Sequence, residues 1–135
     1  MSITIQARGI SAGVGSGTLL VSSEPISFLS GVDPETGVVI ESGHPLEGKS
    51  IAGTVLAFPF GKGSTVGSYV IYALRRNNVA PSAIINTEAE PIIAVGAIIA
   101  EIPMVDRPKT PIEELKDGVS VSIDGSLGEI IIENE

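Results

Sequence analysis

Between Ile51 and Asn77 three segments of different character follow one another without a break. Ile51 to Phe58 is strongly apolar; Pro59-Phe60-Gly61-Lys62-Gly63-Ser64-Thr65-Val66-Gly67-Ser68 is rich in glycine; beyond it the apolar positions fall at Val66, Tyr69, Val70, Ala73 and Leu74. That last spacing covers one face of a helix and predicts one over 66–77. The near-continuous apolar run at 54–58 belongs to a strand covered on both faces. The segment therefore reads strand, glycine-rich turn, helix. Ser64 or Thr65 suits the N-cap, and Arg75 and Arg76 lie at the helix's negative end. A turn of this kind aims amide N–H groups and a helix N-terminus at one spot, where an anion is favoured. Lys62 adds a charge there and Ser64 a hydroxyl. The pattern is neither the Walker motif nor the dinucleotide fingerprint. Taken locally, Ser64 is either a plain cap or a reactive hydroxyl, and the cap is the commoner use.

The 135 residues suit a single domain spanning 1–135, with aromatics at only 4% and a core of Ile, Val, Ala and Leu. Net charge is −8, which argues against nucleic acid as a partner. No stretch approaches a membrane span, and no export signal is visible, so a cytoplasmic protein is expected. With no cysteine, disulfides, a thiol nucleophile and thiolate ligands to iron are excluded. His44 is the one histidine; in its Gly-His-Pro turn it reads as a surface loop residue.

In chain order, 3–7 and 18–21 read as strands joined by a glycine-rich connection, Gly9 to Gly17. Pro25 to Leu29 reads as a short strand. Asp33-Pro34-Glu35-Thr36-Gly37 is a strong turn, followed by a strand at 38–40. Ala83 to Ile85 is a short buried strand. Pro91 opens a helix, apolar nearly all round and so expected to be buried. Ile102 to Val105 is a strand that Pro103 would place at an edge. Thr110 can cap a short helix at 111–115, and Val119 to Ile132 forms a β-hairpin. The sum is a mixed β/α domain of about eight short strands and two main helices.

Three ordered pieces carry a resemblance: Asp33-Pro34-Glu35-Thr36-Gly37, then Gly61-Lys62-Gly63-Ser64-Thr65-Val66-Gly67-Ser68, then Asn86-Thr87-Glu88-Ala89-Glu90-Pro91-Ile92-Ile93-Ala94-Val95-Gly96-Ala97. Together they resemble the small subunit of the aconitase-X family, in register over the whole chain. The C-terminal Asp117-Gly118, Asp124-Gly125 and Gly128 pattern is also similar to phosphohistidine domains, which share the swivelling β/β/α fold. The resemblance implies that fold and a hydro-lyase subunit, active only with a large aconitase-X-type subunit in a heterodimer. It implies that the large subunit carries a 4Fe-4S iron–sulfur cluster and that this chain binds no cofactor or metal. Ser64 aligns with the family's proton acceptor, and Lys62, Gly63 and Thr65 become substrate-binding candidates. Lys62 stands where arginine is usual, and lysine lacks the bidentate fork. Archaeal members imply mevalonate 5-phosphate as the small phosphorylated substrate; other members imply cis-3-hydroxyproline. Two further readings are a phosphoryl carrier using His44 and a non-catalytic interaction module.

Overall fold

The computed structural model describes residues 2–133. Its strands are β1 (Ser2–Gln6), β2 (Arg8–Ser11), β3 (Val14–Val21), β4 (Val55–Phe58), β5 (Ala83–Asn86), β6 (Met104–Asp106), β7 (Ser120–Asp124) and β8 (Glu129–Glu133). The helices are α1 (Phe28–Gly31), α2 (Gly67–Arg76) and α3 (Pro91–Ile99), with a 3-10 turn at Ile112–Glu114. The strands form one mixed sheet in the order β1-β8-β7-β3-β4-β5-β6-β2. Neighbours from β3 to β6 are parallel, and the remaining pairs are antiparallel. The two ends of that order, β1 and β2, are separated in the chain by Ala7 alone, so the sheet must curl until its ends meet. Glycines line the closure: a Cβ on Gly9 would strike the carbonyl of Gly125, and one on Gly125 the carbonyl of Ser11.

Alternation along the parallel strands divides the core in two. Val55, Ala57, Ala83, Ile85 and Val105 point inward, against Ile5, Leu19, Val121, Ile123 and Ile130. Leu56, Phe58, Ile84 and Met104 point outward beneath Ile71, Leu74, Ile93 and Ala97 of the helices. Both faces are covered, which is why all four residues of β4 and all four of β5 are buried. The result is a sheet-on-sheet-on-helix stack, the swivelling β/β/α arrangement.

Several expectations need correction. The Gly9–Gly17 stretch is mostly strand, turning only around Ala12 and Gly13. Gly15 and Gly17 sit in β3 because Cβ atoms there would meet the carbonyls of Ser82 and Gly53. Pro25 to Leu29 is not a strand: Ile26 makes a single bridge to Gly61, and the chain then coils into α1. That turn drops Phe28 onto Phe58, ring centroids 5.9 Å apart. Residues 38–40 make isolated bridges only. β6 is internal, between β5 and β2; Pro103 precedes it, leaving its carbonyl to accept from Ile84 N–H. The short helix at 111–115 is a single 3-10 turn with no side-chain cap. α3 is not buried all round. It packs through Ile93, Gly96 and Ala97, while Val95, Ile98 and Ile99 face outward and are about half exposed. Its N-terminus follows sequence logic, with Pro91 first and the Glu90 carboxylate accepting from the amides of Ile92 and Ile93.

Candidate active site

The parallel strands end together, Phe58 opposite Asn86 and Asn86 opposite Asp106. In open α/β sheets ligands gather beyond these carboxyl ends, and the glycine-rich turn leaves β4 there. Its stem is held from both sides. Ile26 N–H donates to the Phe60 carbonyl (3.3 Å), and Lys62 N–H donates to the Ile26 carbonyl (3.0 Å). From the other side, Thr87 and Glu88 N–H groups share the Pro59 carbonyl at 3.0 and 3.3 Å. Gly61 is buried where a Cβ would collide with the Ile93 side chain, and Gly63 has φ +94°. A Cβ on Gly63 would also lie 2.7 Å from Ser27 Oγ.

Ser64 projects from this turn and is exposed. Its Oγ accepts from Val66 N–H at 3.1 Å, and its carbonyl accepts from Gly67 N–H at 2.9 Å. The helix itself begins with Val66 as N-cap and no side-chain cap. So neither Ser64 nor Thr65 is the N-cap: Ser64 closes a local hydroxyl turn one step earlier. Lys62, Gly63 and Thr65 are exposed beside it. The Lys62 ammonium reaches Glu41, Nζ to Oε2 at 3.4 Å, with both side chains partly exposed. Thr65 opens onto a groove of about 380 Å³ between α2 and α3, lined also by Ser68, Tyr69, Tyr72, Val95 and Ile99. The four residues chosen from sequence thus share one turn, directed outward.

The aconitase X swivel domain family matches residues 4–132. The chain belongs to that family. Among its relatives, the phosphomevalonate dehydratase small subunit of Methanosarcina acetivorans is 60% identical, covering 95% of this chain and 90% of the relative. The protein of the same name from Methanocella arvoryzae is 61% identical, over 92% and 95% respectively. The crystal structure of Thermococcus kodakaraensis aconitase X in its holo form superposes with a TM-score of 0.93 at 52% identity, covering 98% of this chain and 99% of that one.

Other parts of this swivel domain take roles that sequence did not foresee. The Asp33–Gly37 turn lies at the far end of α2 from Ser64: Asn77, the C-cap of α2, donates Nδ2–H to the Pro34 carbonyl, and Gly37 packs on Val79. It is scaffold, and Arg75 and Arg76 share that far end. His44 is not a surface residue but buried. Its Nδ1 accepts from Leu46 N–H (3.0 Å), so Nε2–H donates to the Pro25 carbonyl (3.1 Å). That bond braces the residue next to Ile26, a function a Gly-His-Pro turn does not advertise.

Near the strand ends, Arg8 grips the fully buried Asp106 through two bonds of 2.8 and 2.7 Å, and Ala89 N–H donates to the same carboxylate. Arg107 makes a second bidentate pair with Glu88 (2.8 and 2.7 Å), exposed on both sides. That guanidinium's hydrogen bonds hold the Glu88 carboxyl below the usual carboxylate range. An Asp-Arg pair ending the apolar run 102–105 was the available signal. A protein-bound iron–sulfur cluster does not fit this chain's donor set. It has no cysteine, and among the described residues no three His, Asp or Glu side chains group as ligands.

Proposed function

We propose that this chain is the small subunit of a two-chain cytoplasmic hydro-lyase that dehydrates mevalonate 5-phosphate to its anhydro form, with Ser64 as proton acceptor. The observation that carries the reading is the placement of Ser64: an exposed hydroxyl beyond the carboxyl ends of the parallel strands, already receiving an amide N–H. A serine hydroxyl is a weak acid, and serves as a base only where its alkoxide is stabilised. The Val66 amide donates to the oxygen that would carry the charge, and the adjoining N-terminus of α2 adds its positive end. Both effects strengthen once water is excluded.

In the dehydration, the Ser64 alkoxide takes a carbon-bound proton, the C–H electron pair becomes the new double bond, and the C–O bond breaks. The departing hydroxide takes up one proton and is released as water, while Ser64 returns its acquired proton to solvent, so no net proton is gained or lost. Lys62, Gly63 and Thr65 bind the substrate beside that oxygen, and an anionic substrate competes with Glu41 for the Lys62 ammonium. The departing hydroxyl needs a Lewis acid, which the iron–sulfur cluster of the large subunit would supply. The surface around Ser64 supports a partner covering it: Phe60 and Val66 are exposed on the turn and Tyr69 in the first turn of α2, and Val95, Ile98 and Ile99 are exposed on α3, and such apolar patches mark interfaces. A phosphoryl carrier is disfavoured, because both ring nitrogens of buried His44 are engaged.

Anaerobic co-expression with a large subunit tests the proposal. Turnover of mevalonate 5-phosphate should require both chains, and Ser64→Ala should lower kcat by at least about 100-fold with assembly intact. Turnover by the large subunit alone, or near-normal turnover by the variant, would sink it. Turnover of cis-3-hydroxyproline instead would keep the reaction class and replace the substrate.

A further inference from the structure

We propose that Asn86 is a positioning residue for the Ser64 turn, its carboxamide holding the stem of that turn in the geometry proton transfer requires. Asn86 ends β5 and is completely buried, continuing the face that Ile84 presents to the helices. A carboxamide in such a place is costly unless it is hydrogen-bonded. Nδ2 donates to the Phe58 carbonyl at 3.1 Å and to the Ile85 carbonyl at 3.2 Å. Because both partners can only accept, the orientation of the amide is settled: nitrogen faces them. Oδ1 then points away and has no partner among the described residues. A leucine here would fill similar space and remove the unpaired Oδ1, but it would also take the donor from the Phe58 carbonyl. The asparagine thus keeps one orphaned acceptor in order to hold the end of β4, and a half-satisfied buried amide asks for an explanation.

The explanation lies in what Nδ2 holds. Phe58 is the last residue of β4 and the root of the turn. The next carbonyl, Pro59, is taken by the amides of Thr87 and Glu88, and Ile26 pairs with Phe60 and Lys62. Carbonyls 58, 59 and 60 are thus fixed in succession, and Ser64 lies two residues past the last bond of this set. Of these bonds only that of Asn86 comes from a side chain. The 86–89 segment is itself anchored, through Ala89 N–H on the Asp106 carboxylate. A misplacement of about 1 Å at a reacting group can cost about 100-fold in rate, so a stem free to shift would be felt at Ser64.

This inference rests on Ser64 being the proton acceptor, and the test separates the two. Asn86→Leu, Asn86→Asp and Ser64→Ala are compared in the two-chain enzyme, with amide hydrogen exchange followed in the full small subunit. Asn86→Leu should assemble, keep its Tm within a few degrees, and lower kcat about 10- to 100-fold with KM within about twofold. Exchange at Lys62 and Val66 should quicken while the β5 amides stay protected. Asn86→Asp should be slow at neutral pH and recover on acidification, when its protonated carboxyl can donate as Nδ2 did, adding a pH limb that the wild type lacks. Unchanged kcat, unchanged exchange at Lys62 and Val66, or loosening spread equally over β5 would each overturn the proposal. Near-normal turnover by Ser64→Ala would instead remove the reading of Ser64, and the exchange result does not depend on it.

Discussion

Ser64 owes its standing to two neighbours that have no functional group of their own. Gly61 lets the turn pass against Ile93, and Gly63 supplies a positive φ directly before the serine. An alanine at Gly63 faces both a left-handed backbone, worth about 1–2 kcal/mol, and Ser27 Oγ at 2.7 Å from its Cβ. Gly63→Ala should therefore lower kcat more than it lowers stability, because the strain falls on the segment that carries the hydroxyl. Paired kinetic and thermal measurements check this, and a fall in Tm with kcat intact would contradict it. Lys62 shows the limit of residue-by-residue reading. Sequence places a cation beside Ser64, and the structure commits its ammonium to Glu41, 21 positions earlier.

At the scale of elements, the strand–turn–helix at 51–77 was plain because its signals are local: an apolar run, then glycines, then a 3.6-residue period. The hairpin of β7 and β8 was plain for the same reason, with alternation and Asp-Gly turns. β3 and α1 were not. Gly15 and Gly17 look like loop residues until the carbonyls of Ser82 and Gly53 are brought against them, and those partners are remote in the chain. The segment 86–90 matters through its bracing. The Glu88 carboxyl is lowered in pKa by Arg107, so the pair contributes stability above the unfolded carboxylate range, near pH 4.3, and loses it as pH falls through the lower folded value. Glu88→Gln should lower Tm slightly at pH 7, the effect being small for an exposed pair, and the gap to wild type should narrow progressively as pH falls below the unfolded carboxylate range. A gap that does not narrow on acidification would show that the pair is not its source.

At the scale of the whole molecule, the outward face of α2 and α3 is the feature a lone chain does not explain. Tyr69 is 74% exposed and Ile99 53%, on the groove that begins at Thr65. If the large subunit covers this face, Ile99→Lys should weaken assembly at least about tenfold by titration while leaving the small subunit's Tm nearly unchanged. Unaltered assembly would place the partner elsewhere. The sequence alone determined the class of fold, the helix after the glycine-rich turn, the family and the turn holding Ser64, because each is written in short-range pattern or in motifs of fixed order. Tertiary structure alone decided the closure of the sheet at Ala7, the burial of His44, the Arg8–Asp106 grip and the hold of Asn86 on Phe58. Each of those joins residues far apart in the chain, where hydrophobic period and turn chemistry carry no information about which groups will meet.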